Sequence, residues 1–205
     1  MAKNNKAWIV SVNMGYGHQR TAYPLRDFAQ AGEVINANDY KGIPHKDKKI
    51  WESSRYFYEF ISRFKRIPLI GEGAFSLFNR FQEIPAYYPR RDLSQPSIGL
   101  GKIYNLIEKG WGRHFISTLS DKKIPLITTF FIPAFMAEVF EYPGDIYCVV
   151  CDADISRAWA SIRPSKSRVR YFVPNSWVAN RLKLYGVEEK NIFLTGYPLP
   201  LENVG

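Results

Sequence analysis

The segment that most restricts the fold is the first one with regular character. Ala7-Trp8-Ile9-Val10-Ser11-Val12-Asn13 is a short, β-rich apolar run that stops abruptly at Met14-Gly15-Tyr16-Gly17-His18. The residues after this turn read as helix to about Ala31, with Pro24 in the first helical turn, where its missing N–H costs little. Glu33 to Asn38 then reads as a second strand. Strand, tight turn, helix and strand in that order predict an α/β fold with a doubly wound, mainly parallel sheet.

The rest of the chain extends the pattern after an interruption. Ile50 to about Phe81 has helical character with aromatic residues on several faces, too many for one buried stripe. Pro85, Pro89 and Pro96 mark a loop over Glu83 to Pro96, and Gly101 to Leu119 resumes as helix. Strands are predicted at Pro125 to Thr129, Ile146 to Cys151, Val169 to Pro174 and Ile192 to Thr195, with a helix from Ala134 to Glu141. Ser176 is placed as the cap of a further helix, whose apolar residues Val178, Leu182 and Tyr185 fall at i, i+4 and i+7, and Gly186-Val187 stops it. At 205 residues and 46% hydrophobic content, one domain over 1–200 is the simplest organisation, with an aromatic and basic helical region at about 50–120.

Charge and cysteine content narrow the setting. A formal charge of +9 implies attraction to an anion: nucleic acid, an anionic membrane surface or a phosphorylated ligand. The longest apolar stretch, Ile124 to Phe140, is broken by Pro125 and Pro133 and carries Glu138, which argues against a membrane span. Two cysteines, no secretory signal and no long uncharged apolar run lead us to expect a reducing, cytoplasmic location, peripheral to the inner face of the cell membrane if lipid is the partner.

Three constellations could carry chemistry. Gly15-Tyr16-Gly17-His18 joins a strand to a helix, where backbone N–H groups and the positive helix end suit an anionic group. It lacks the third glycine of a dinucleotide fingerprint and the lysine of a Walker-type loop. His18 falls at the carboxyl edge of the sheet, where it either hydrogen-bonds a hydroxyl or phosphate or merely caps the helix. Asp152-Ala153-Asp154 superficially matches a metal-binding acid pair, but no further acidic cluster completes a coordination shell; Asp152 as a hydrogen-bonding residue and Asp154 as the start of a turn is the reading we adopt, with no metal. Cys148 and Cys151, three apart on a strand, fall on opposite faces. Finally, cations interleave with aromatics through Arg55 to Arg91, and Trp51, Arg55, Phe64, Lys65 and Arg66 are the candidate membrane contacts; base stacking or plain helix packing would use the same composition.

Two stretches, taken together, carry a resemblance. One is Asn13-Met14-Gly15-Tyr16-Gly17-His18; the other runs from Val150 through Asp152 to Trp159, then Tyr171-Phe172-Val173, Ser176 to Gly186 and Thr195-Gly196-Tyr197-Pro198. Their order and spacing resemble the glycolipid-building glycosyltransferases of the monogalactosyldiacylglycerol synthase and processive diacylglycerol glucosyltransferase group, and more distantly the lipid II N-acetylglucosaminyltransferase. The likeness covers Lys6 to Asp39 and Lys123 to Pro200; where the family commonly has a histidine four residues after the aspartate, this chain has Ser156, followed by Arg157.

The resemblance implies the N-terminal, acceptor-side Rossmann-like domain of a GT-B enzyme, with residues 201–205 entering a linker to an absent donor-binding domain. It implies hexose transfer from a nucleotide sugar, expected to be a UDP-sugar, to a lipid acceptor such as diacylglycerol, with no other cofactor. His18 and Asp152 would be catalytic, and Asn13, Gly15, Tyr16, Gly17, Ser156 and Trp159 would bind substrate. A membrane-recruiting subunit of a split transferase and a nucleic-acid-binding α/β protein remain the alternatives, although nucleic acid is not the expected partner.

Overall fold

The computed structural model of the chain describes residues 6–30, 32–53 and 83–200. It contains a six-stranded, all-parallel sheet in the order β2-β1-β3-β4-β5-β6, flanked by helices in a Rossmann-like α/β arrangement. The strands are β1 (Trp8–Ser11), β2 (Ile35–Asn36), β3 (Leu126–Thr128), β4 (Ile146–Val149), β5 (Val169–Val173) and β6 (Ile192–Leu194). Besides a helical stretch over residues 45–53, the helices are α1 (Tyr16–Ala22), α2 (Ile98–Glu108), α3 (Arg113–Leu119), α4 (Phe131–Val139) and α5 (Ser176–Leu184).

Alternation along β1 shows how the two faces are filled. Ala7 and Ile9 join a small cluster with Ala22 and Ala29, while Val10 and Val12 face the larger core. That larger core holds Trp111, Phe135, Leu126 and Tyr171, and its centre is α4, in which Phe131 to Ala137 are all buried. A helix apolar on every side belongs between layers, and α4 packs between α2 and strands β3 and β4. Its single charge, Glu138, accepts hydrogen bonds from the Ser161 and Ser167 hydroxyls and the Arg168 amide. Among the described residues, no helix is long and apolar enough to cross a membrane.

Several boundaries differ from the sequence expectations for local reasons. The first helix begins at Tyr16 and closes at Ala22, so Pro24 lies beyond it, at the start of a 3-10 helix over Tyr23–Phe28. Proline there removes the N–H that would continue α1. The helix expected over 101–119 splits in two at Gly110 and Gly112. Gly112 is left-handed (φ 84°), and a Cβ there would sit 2.2 Å from the Met136 sulfur, so the break lets α3 turn back close against α4. Asn175, not Ser176, caps α5, its side chain accepting from the Val178 amide at 2.8 Å. At the other end Val187 N–H reaches Leu182 O and Gly186 N–H reaches Lys183 O, the Schellman pattern that Gly186-Val187 predicts.

Residues 83–96 lie in no helix or strand, as expected; the helix expected from Ile50 begins earlier, at residue 45, and is described to residue 53, the rest of that expectation lying outside the described residues. Trp51, expected at a membrane, is instead in the core, 3% exposed and edge-on to Trp111 at 4.7 Å. A large indole facing another indole stabilises by burial, and a side chain so enclosed offers nothing to a bilayer. Arg55, Phe64, Lys65 and Arg66 lie outside the described residues.

Candidate functional site

The strand order places a topological switch point between β1 and β3, where the chain first moves outward to β2 and then returns to the other side. In open α/β sheets, the crevice at the carboxyl ends of such strands is where ligands bind. The turn after β1 enters it. Asn13 anchors that turn: its amide donates to Asn38 Oδ1 at 2.8 Å, its carbonyl accepts from Asn38 Nδ2, and its own Oδ1 accepts from Gln19. Gly15 has φ 146° and ψ 154°, a conformation that side chains exclude, so the reversal into α1 demands glycine.

Gly17 differs. It has ordinary helical backbone, and a Cβ there would meet nothing within 4 Å. Packing gives no reason for this glycine. Tyr16, beside it, is 80% exposed, with the Arg20 guanidinium 6.0 Å from its ring.

His18 is half-buried on the opposite side of α1, against β3 and the residues following β4. Its Nδ1 is 2.8 Å from the carbonyl oxygen of Thr129 and 3.2 Å from the Cys151 sulfur, and its ring meets Phe130 edge-on at 4.8 Å and Trp159 at 6.3 Å. A carbonyl only accepts, so Nδ1 carries the proton and Nε2 keeps the lone pair. Among the described residues Nε2 has no hydrogen-bond partner. Burial lowers the imidazole pKa, only partly opposed by the Thr129 hydrogen bond and the Asp152 charge. The ring is therefore held neutral, in one tautomer, with one basic nitrogen free.

Thr129 is the residue that the sequence reading missed. It is fully buried just past β3; its hydroxyl donates to the His18 carbonyl at 3.0 Å while its own carbonyl holds the ring. The only signal for it is its place, at the end of the strand beside the switch point. The orienting contact on His18 thus comes from the Thr129 carbonyl.

Asp152 lies past the end of β4, and partial burial of its carboxyl raises its pKa against the opposing influence of His18 and Cys151. Asp154 is used structurally: its carboxylate takes a two-point contact from Arg181 at 2.8 and 3.0 Å, the Trp177 indole N–H at 2.8 Å and the Ile155 amide at 2.8 Å. Among the described residues, no group of three or more His, Cys, Asp or Glu side chains is placed to hold a metal ion. Cys148 and Cys151 are free thiols; burial holds the first well above its ordinary pKa and pushes the second up to about 12.

Trp159 is 5% exposed and lies behind His18 with Phe131, so it backs the imidazole. Ser156 is buried at the head of the short 3-10 helix Arg157–Trp159, and its hydroxyl does not cap that helix. Arg157, next in sequence, is also buried and donates to the carbonyls of Ser94, Ala160 and Ser161, tying the 83–96 loop down.

No family model, curated protein or solved structure matches the chain. The geometry therefore stands by itself. On the other face of α1, Tyr16, Arg20 and Tyr23 line a cleft of about 600 Å³ closed by Tyr197 to Pro200. Tyr197 follows β6 and is near enough to Asp152 and Cys151 that, after burial, their charges raise its pKa. The turns after β1, β3, β4 and β6 thus share one rim.

Proposed function

We propose that this chain is the acceptor-side half of a GT-B glycosyltransferase that moves a hexose from a nucleotide sugar to the hydroxyl of a membrane lipid. The observation that carries the reading is His18: a neutral imidazole with Nδ1–H anchored on a backbone carbonyl and Nε2 free, at the switch point of a parallel sheet. A hydroxyl attacking a sugar must lose its proton, and a fixed imidazole with an available lone pair accepts it. Asp152, close enough to act on His18 through space, favours the imidazolium that results. The cleft beside Tyr16, on the other face of α1 from His18 and within the range of about 300–1,000 Å³ of small-molecule sites, gives the body of the acceptor room along the same rim.

The membrane part of the reading rests on exposed side chains. Ile84, Tyr88 and Trp177 are 44%, 66% and 42% exposed, and Arg90 and Arg91 are exposed beside them. Tyr87 links the group, stacking on Trp177 at 4.3 Å and meeting Tyr88 edge-on at 4.9 Å. Trp177 opens α5 just past the carboxyl end of β5, on the edge of the sheet that also bears His18. Aromatics with adjacent arginines suit the headgroup layer of an anionic bilayer. The donor sugar requires a second domain, which the resemblance places after residue 200.

The test is transfer itself. The chain joined to a donor-binding domain, given UDP-hexoses and vesicles of diacylglycerol with anionic phospholipid, is expected to put labelled hexose into the lipid extract. No labelled lipid with any UDP-hexose or with glycosylated diacylglycerol overturns the reading. Gly17 sharpens it: Gly17→Ala is expected to leave the urea midpoint unchanged or raised, since alanine is the better helix former, while turnover falls ~10-fold through a displaced acceptor. Full turnover in a stable Gly17→Ala chain would show that nothing approaches the helix there.

A further inference from the structure

Cys151 occupies the space between two groups that do not touch. Its sulfur is 3.2 Å from His18 Nδ1, and its thiol donates to Asp152 Oδ1 at 3.9 Å, a long contact even for sulfur. No direct His18–Asp152 hydrogen bond accompanies them. Because Nδ1 carries its proton toward the Thr129 carbonyl, the sulfur is the second acceptor of that N–H, and the thiol hydrogen is left for the carboxylate.

We propose that Cys151 is a positioning residue: its thiol accepts from His18 Nδ1–H and donates to Asp152, so that the carboxylate is coupled to the imidazole through sulfur. No proton needs to cross the chain. Each hydrogen stays on its own atom, and the link polarises as positive charge develops on the ring. A thiol that stays protonated suits this task, and burial keeps it so, with a pKa of about 12. The groups facing the ring are the Thr129 carbonyl and Phe130 after β3, Cys151 and Asp152 after β4, and Trp159; Tyr197 faces Asp152 from beyond β6. Asp152 is the one charge among them that acts on His18.

The inference rests on the proposed role of His18 for its functional meaning, but its test does not need transfer activity. NMR titration of the His18 ring in the 205-residue chain gives its pKa in wild type, Asp152→Asn, Cys151→Ala and the double variant. Asp152→Asn is expected to lower the His18 pKa in the wild-type background, because Asp152 raises it. With Cys151→Ala the same replacement is expected to have less than about half that effect, a double-mutant cycle reporting the coupling through the thiol. An effect of equal size in both backgrounds overturns the proposal, since charge acting through space needs no sulfur.

Should Cys151→Ala lose its dispersed spectrum, Cys151→Val, which keeps bulk but neither accepts nor donates, takes its place in the cycle: a weakened Asp152 effect supports the proposal and an undiminished one overturns it. In the transferase assay, Cys151→Ala is expected to lower kcat ~10-fold with KM unchanged. If the NMR coupling is present and kcat does not move, the positioning role of Cys151 stands and it is the reading of His18 as base that falls.

Discussion

On the proposed function, His18→Ala in the chain joined to a donor-binding domain is expected to lower the turnover of hexose transfer by ~10²-fold or more and to leave the fold intact. That size is what removing the proposed general base, held in a single tautomer, would cost. The Thr129 carbonyl fixes Nδ1–H, so the neutral ring is held in the tautomer whose lone pair is on Nε2. His18→Gln keeps donor and acceptor atoms but no basic nitrogen, and is expected to be nearly as slow. The pH dependence has a definite sign. Burial places the imidazole pKa below its ordinary 6.5, so kcat/KM is expected to be flat at neutral pH and to fall as pH drops through that lowered value. The same depression makes the folded chain bind fewer protons than the unfolded one, so its contribution to stability rises with pH below 6.5. Steady-state kinetics from pH 5 to 8, beside a urea titration of each variant, checks both. Turnover within twofold of wild type for a folded His18→Ala chain removes the imidazole from the chemistry.

The second large effect is on stability and lies away from the base. Asp154→Ala is expected to destabilise the domain by about 3–5 kcal/mol, because it leaves the Arg181 guanidinium, 2% exposed, without its counter-charge. Arg181 also donates to the Pro85 carbonyl at 2.8 Å and lies 5.3 Å from the Tyr87 ring, so the 83–96 loop loosens with it. Arg181→Met with Asp154→Ala, which removes both charges and keeps bulk, recovers much of the loss. Burial alone would raise the Asp154 pKa, but hydrogen bonds from Arg181, Trp177 and the Ile155 amide outweigh it and the net shift is downward. A carboxylate with a depressed pKa contributes stability that is complete above the unfolded value, near 3.8, and is lost as pH falls through the folded value. Urea midpoints at pH 7 and pH 3 measure this: a loss below about 1 kcal/mol for Asp154→Ala at pH 7, within the ~0.2–1 kcal/mol of a surface pair, would mean that the pair is solvated.

The parallel sheet was legible because its determinants are local. Short, β-rich apolar runs bounded by turn residues mark the strands, and the Gly186-Val187 stop is a hydrogen-bond pattern within six residues. The errors have a common origin too. Ser176 and Asn175 are both good caps, and only the backbone at Asn175 (φ −154°, ψ 165°) decides between them. The break at Gly110 to Gly112 is invisible without Met136, which comes from α4 and excludes any side chain at Gly112. Trp51 reads as an interfacial aromatic until Trp111 is set against it.

The site divides in the same way. Gly15 and His18 were readable as a turn and an edge residue from their place after the first strand. Thr129, Cys151 and Trp159, which give the imidazole its tautomer, its sulfur neighbour and its backing, lie 111 to 141 residues away in the chain. What the amino-acid order determined by itself was the alternation of strands and helices, since apolar periodicity and turn chemistry act over a few residues. Only the tertiary structure decided which nitrogen of His18 is basic and which acid is occupied by an arginine. Those properties depend on burial and on hydrogen bonds between chain-distant groups, brought together when parallel strands align their carboxyl ends.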